Sequence, residues 1–160
     1  MVEKIKNGEE NNTEYEREKF GSRAPTAATR EQLIQDEMRS DNTWYSWWDG
    51  FLYEGPSGMD ADHTVALAEA WGSGARNWTQ AKRVDFANDL IHPYTLNLIS
   101  AGLNRGVKSD KDPFDWVPSV NQCEYIRQWT SVKLTWGLTA DGEEKLALHN
   151  YALECDKNDK

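Results

Sequence analysis

No run of apolar residues in this chain is long enough to cross a bilayer. The opening residues, Met1-Val-Glu-Lys-Ile-Lys-Asn-Gly-Glu-Glu, lack the hydrophobic stretch of a signal peptide. The expectation is a protein with no membrane partner, cytoplasmic as written, or secreted if the chain is a processed form. Cysteine is scarce: Cys123 and Cys155 are the two. No Cys-x-x-Cys and no neighbouring His pair accompany them, so their spacing matches no zinc motif. A disulfide tying the last helix to an earlier one and a pair of free thiols are equally compatible with the sequence. Basic charge is in deficit. A net charge of -9 and a pI near 4.8 argue against nucleic acid wrapped over a broad surface, while leaving room for a small basic site. Internal repeats and low-complexity segments are absent.

A chain of 160 residues is long enough for one domain with a sizeable core. The polar residues 1–13 are expected to be disordered, residues 14–156 to form the domain, and 157–160 to be a polar tail. Eight tryptophans point chiefly to a core rich in indole rings. The negative charge gathers towards the ends of the chain. The middle carries Arg76, Lys82, Arg83, Arg105, Lys108 and Lys111.

Local signals outline the elements. Thr29-Arg-Glu-Gln32 reads as a capping box for a short helix through Met38. The aromatic stretch Trp44 to Tyr53 is broken by Asp49-Gly50, a hairpin signal. Met59 to Val65 has room for a strand, and Ala66 to Trp71 for a helix stopped by Gly72-Ser-Gly74. Thr79 is expected to cap a helix through Leu90, which His92-Pro93 ends. Tyr94 to Ser100 reads as a strand, and Ala101-Gly102 as the start of a loop. Asp112-Pro113 has the pattern of a helix start. Tyr125, Trp129, Val132 and Trp136 recur at helical spacing, so Gln122 to Trp136 is predicted as a helix ended by Gly137. Thr139 or Asp141 is expected to cap a last helix through about Leu153.

Two stretches carry chemistry together. Asp60-Ala-Asp62-His63 sets a hard oxygen ligand beside a proton acceptor. Some forty residues later, Asn104-Arg105-Gly-Val-Lys108-Ser-Asp110-Lys111 adds an amide oxygen among cations. An isolated Asp-His pair is common and means little; the combination fits metal-assisted hydrolysis of a phosphodiester. His63 is the candidate base, because a neutral imidazole accepts a proton near its unperturbed pKa of about 6.5, and the rate is expected to rise through that value. Asp62 and Asn104 are the candidate ligands for one divalent ion. Magnesium is expected first, since it favours oxygen and keeps several waters; manganese is the alternative, and zinc is least favoured where nitrogen and sulfur ligands are few. Arg105, Lys108 and Lys111 are the candidate phosphate contacts. Asp60, Glu69 and Asp112 are candidates for supporting positions around the site. His92 and His149 read as structural.

These stretches carry a family resemblance. The chain resembles the HNH-type, or beta-beta-alpha-metal, nucleases, and more narrowly the DUF1524 family, also known from the C-terminal part of the GmrSD restriction enzymes. The resemblance runs from about Tyr15 to Cys155. It rests on Tyr15-Glu-Arg17-Glu-Lys-Phe20-Gly21, Thr29-Arg30, Asp60 to Ala75, Phe86-Ala-Asn88-Asp89-Leu90, and Asn104 to Pro118. The string Asn-Arg-Gly-x-Lys-Ser-Asp is also similar to the HNH domain of RNA-guided CRISPR nucleases. The resemblance implies that Asp62 ligates the metal, that His63 is the general base and that Asn104 matches the Asn of the second HNH motif. The third HNH position is not a His here, and Asp112 or Lys108 falls in its neighbourhood. The implied fold is α+β, a mainly helical single domain around a small antiparallel beta-beta-alpha-metal core. The implied function is metal-dependent cleavage of DNA, or of RNA, by a monomer, with room for a partner protein that delivers the target. The competing reading is a non-catalytic nucleic-acid- or sugar-binding protein on an HNH-derived fold, with Trp44, Trp47 and Trp48 as a stacking surface.

Overall fold

The N-terminal segment packs against the domain, contrary to its polar composition. In the computed structural model, which describes residues 1–158, Val2–Lys4 forms a 3-10 turn that buries Val2, and Ile5 follows it into the core. Gly8 N donates to Ala140 O and Ala140 N to Lys6 O, each at 3.0 Å. Asn11 N donates to Gly72 O. The expected disorder of 1–13 is therefore corrected. Two apolar residues three apart meet the last helix, and the backbone finds partners on both sides of Ala140. Average polarity over the segment conceals both facts. Residues 159–160, the end of the expected polar tail, lie outside the described residues, and 157–158 finish a helix.

Helix α1 spans Ala27–Glu37. Its cap is Thr26, whose side chain accepts from Thr29 N at 3.2 Å, so the helix begins one turn earlier than the capping box at Thr29 predicted. Strands β1, Trp44–Ser46, and β2, Phe51–Tyr53, form the expected hairpin, pairing Trp44 with Tyr53. Strand β3 covers Met59–His63, and α2 follows at Leu67–Gly72. Helix α3, Gln80–Ala87, is capped by Thr79, which accepts from Lys82 N. Strand β4, Leu96–Ser100, lies antiparallel to β3, with Asp62 opposite Asn97 and His63 opposite Leu96.

The stretch after β4 departs from the sequence reading. Instead of a loop, a single turn α4, Ala101–Leu103, runs into a π-helical turn at Asn104–Lys108, closed by Ser109 N donating to Asn104 O at 2.9 Å. Wide turns of this kind recur at functional sites. At Asp112-Pro113 the reverse holds: Asp112 caps only a turn, accepting from Phe114 N at 2.8 Å, and no helix follows. Helix α5, Gln122–Trp136, ends as predicted at Gly137, whose φ of 66° is the left-handed conformation that glycine adopts without strain. Helix α6, Gly142–Asn158, starts where Asp141 Oδ1 accepts from Glu144 N at 2.9 Å.

Among the described residues the fold is thus α+β, one domain of six α-helices and two small antiparallel sheets. The main core gathers Phe20, Trp48, Trp71, Phe86, Tyr125 and Trp129. A smaller one under the β3–β4 sheet holds Leu33, Trp44, Met59, Leu96 and Leu98. Trp44 and Trp48 are buried and only Trp47 of that trio is exposed, which removes most of the stacking surface. Cys123 and Cys155 form a disulfide that joins the start of α5 to the end of α6. No helix among the described residues is long and apolar enough to cross a membrane.

Candidate functional site

Asp60 and Asp62 are two apart on β3, so they leave the strand on the same side about 6.7 Å apart. The turn carrying Asn104 and Lys108 runs beside them, and the side chains pair off. Asn104 Nδ2 donates to Asp60 Oδ2 at 3.0 Å. Arg105 forks onto Asp60, with Nε 2.9 Å from Oδ2 and Nη2 2.8 Å from Oδ1. Burial would raise the Asp60 carboxyl, but these bonds outweigh it and hold it below the usual carboxylate range.

Lys108 meets Asp62 in the interior. Its ammonium donates to Asp62 Oδ1 at 3.3 Å and to His63 O at 3.0 Å, and lies 3.1 Å from Asp62 Oδ2. Lys108 is 0 % exposed. The phosphate grip expected of Lys108 is therefore corrected: a cation sealed in this way neutralises a buried carboxylate and cannot reach a polyanion outside. Among the described residues Asp62 Oδ2 meets no donor besides that ammonium. Burial pushes Asp62 up to about 6, with Lys108 opposing the rise.

His63 leaves β3 on the other side and is also buried. Its ring stacks on Phe86 with centroids 6.0 Å apart and planes 13° apart. Nε2 lies 2.9 Å from Ala87 O at the end of α3. A carbonyl only accepts, so this contact places the proton of the neutral ring on Nε2 and leaves Nδ1 as the acceptor. Burial lowers His63 to about 4, well below the value of a free imidazole, so the ring stays neutral in weak acid.

A cleft of about 490 Å³ opens over these groups. Asp62, His63, Asn104 and Arg105 line it together with Tyr15, Arg17, Ser109 and Asp110. Ser109 has φ 39° and ψ -124°, an unfavourable conformation for a residue with a Cβ, and such backbone strain is concentrated at functional sites. A larger cavity of about 640 Å³ lies between Asn7–Glu9 and α6. Asp141 and Lys145 in its wall are occupied by the backbone: Asp141 caps α6 and Lys145 donates to Ile5 O.

The structure brings Asp60, Asp62, His63, Asn104, Arg105 and Lys108 together, and keeps Lys111, Glu69 and Asp112 out of the cleft wall. Lys111 donates to Val107 O at 2.9 Å. Glu69, expected near the site, instead joins a separate buried cluster. Its Oε1 accepts from Lys133 Nζ at 2.8 Å, and Glu144 Oε2 lies 3.2 Å from the same ammonium. Glu10 completes a group whose carboxylate oxygens lie within 4.8 Å of one another. Lys133 already occupies the cation position there. Asp112 is turned to the backbone of its own turn and pushed up to about 6 by burial. Arg17, part of the Tyr15–Gly21 motif but given no role there, and the Ala87 carbonyl, which has no signature in the sequence, join the site only through the fold.

Over 156 residues the chain is 32% identical to a protein of Arthroderma benhamiae described as an uncharacterized secreted protein, and the match covers 88% of this chain and 76% of the relative. The chain belongs to the same family as that fungal protein. No protein-family model matches the chain, and no solved structure matches it.

Proposed function

We propose that the protein is a metal-dependent nuclease with an HNH-like core, in which His63 activates the water that attacks a phosphodiester of DNA. The observation that carries the reading is the orientation of His63. The Ala87 carbonyl fixes the Nε2–H tautomer, burial keeps the ring uncharged, and the free Nδ1 belongs to a residue in the wall of an open cleft. An uncharged ring with an accepting Nδ1 can take a proton from water, as a weaker base than a free imidazole.

The ligand set fits a hard divalent ion. Asp62 Oδ2 is buried, and among the described residues it meets no donor besides the Lys108 ammonium, 3.1 Å away. Asn104 spends its amide NH2 on Asp60, which leaves Oδ1 as its available donor atom. Asp62 and Asn104 would hold the ion, with Asp60 orienting the Asn104 amide and Lys108 compensating the Asp62 charge. A bound magnesium or manganese would stabilise negative charge on the phosphate and on the departing 3′ oxygen. His63 Nδ1 takes the proton from water as the new P–O bond forms, and the 3′ oxygen leaves with the electron pair of the broken P–O bond. His63 then carries the proton until solvent removes it. Two features support an extracellular site of action: the relative's description as secreted and the Cys123–Cys155 disulfide, a bond that persists in oxidising compartments.

Plasmid nicking with magnesium, with manganese and with EDTA tests the reading. Wild-type protein should nick the plasmid with either ion and stop on chelation. His63→Ala should lose about a hundredfold to ten-thousandfold in rate, the usual worth of a general base, while keeping its circular dichroism. Undiminished cleavage by this variant, or by wild type in EDTA, would remove the assignment.

A further inference from the structure

We propose that Arg17 is the phosphate-binding residue of the cleft, gripping a non-bridging oxygen of the phosphodiester beside His63. The substrate class rests on the nuclease reading; the anion contact rests on the geometry of the cleft.

The cations expected to bind phosphate are committed elsewhere. Lys108 is sealed against Asp62. Lys111 is outside the cleft wall and bonded to Val107 O. Arg105 does line the cleft and is 75% exposed, but its Nε and Nη2 are bound to the Asp60 carboxylate, whose charge offsets its own. Arg17 lines the same cleft and forms no ion pair among the described residues. Its Nη2 donates to Ala24 O, and its Nη1 and Nε have no acceptor among the described residues. Asp110, the remaining carboxylate in the wall, does not pair with it.

The position of Arg17 is set by packing. It begins the 3-10 turn Arg17–Phe20. Phe20 is fully buried against Phe86, with centroids 6.2 Å apart, and Phe86 is the ring on which His63 stacks. Arg83 Nε donates to Lys19 O at 2.7 Å and fixes the turn to α3. The base and the turn that carries Arg17 are therefore held against the same aromatic ring, His63 directly and the turn through Phe20. One donor anchored on a carbonyl and the others unengaged make a pre-organised fork for an anion.

The test compares Arg17→Gln and Arg17→Lys with wild type. Glutamine keeps a donor for Ala24 O and removes the charge. Binding of a short fluorescein-labelled DNA duplex is followed by anisotropy in EDTA at several salt concentrations, and cleavage separately with magnesium. For Arg17→Gln the expected results are a KM raised by roughly tenfold to a hundredfold, the worth of one charge-assisted contact, and a salt slope reduced by about 0.9. Arg17→Lys should keep the wild-type slope and raise KM less. Unchanged KM and slope in Arg17→Gln would overturn the grip and leave the nuclease reading intact. Duplex binding that weakens in Arg17→Gln, by a wild-type protein that does not cleave, would uphold the grip and remove the nuclease. Should Arg17→Gln fail to fold, an unchanged KM in folded Arg17→Lys would overturn the proposal, since ammonium cannot replace the fork.

Discussion

Lys108 Nζ lies 3.1 Å from Asp62 Oδ2, and neither side chain is more than 5% exposed. A lysine 46 residues along the chain thus opposes the burial that raises the carboxyl beside the candidate base. Burying two charges is costly, and removal of one partner leaves the other uncompensated.

Lys108→Met should therefore destabilise the protein by about 3 to 5 kcal/mol, read from urea unfolding. The double variant Asp62→Asn, Lys108→Met should recover much of that loss, because neither charge remains. DNA binding by Lys108→Met, measured where it is folded, should keep the wild-type salt slope. A slope reduced by about one contact would return Lys108 to the substrate.

Asp62→Ala and Asn104→Ala should each weaken magnesium or manganese binding in calorimetry. Asp60→Ala should weaken it as well, by roughly tenfold to a hundredfold, although Asp60 is not proposed as a ligand, because it orients the Asn104 amide. Unchanged affinity in all three variants would place the ion elsewhere.

Stability should fall as pH rises from about 5 to about 8.5. Burial raises Glu69 to about 7 and Glu144 to about 8, around a single Lys133. Their unfolded values are near 4.3. Between those limits the folded state holds protons that the unfolded chain has released, so this contribution is complete below the unfolded value and is lost as pH climbs through the folded ones. The net charge of -9 adds repulsion in the same direction. Urea midpoints should drop across this range, and Glu69→Gln should flatten the drop. A midpoint that rises towards alkaline pH would contradict the protonated cluster.

Replacing both Cys123 and Cys155 with serine should cost about 3 to 4 kcal/mol, the loop-closure effect for a separation of 32 residues. Unfolding of the oxidised and the reduced wild type should differ by a similar amount. Mass spectrometry of unreduced protein should find no free thiol.

Much of the scaffold around the site is written in short-range signals. Gly137 ends α5 because glycine adopts a left-handed cap at low cost. Thr79 starts α3 because its hydroxyl satisfies an open backbone donor. Asp49-Gly50 turns the hairpin, and β3 carries Asp62 and His63 where the sequence predicted a strand. Each signal acts within a few residues, so composition and order suffice to read it. Where two local signals competed they misled: Thr26 lies three residues before Thr29 and took the cap, and Asp112-Pro113 made a turn without enough apolar periodicity behind it to extend into a helix.

The sequence by itself determined an α+β chain, its strand with an Asp-His pair, and the nearby asparagine and cations. Tertiary structure alone decided which of those cations can meet a ligand. Lys108 and Arg105 look alike on paper. One was drawn inside by a buried carboxylate, the other bound to a half-buried one, and Arg17 was brought across by the Phe20–Phe86 contact. The N-terminal segment and the cysteine pairing were settled in the same way. Burial and desolvation depend on residues far apart in the chain, and that long-range packing sets the charge, the tautomer and the reach of every side chain in the cleft.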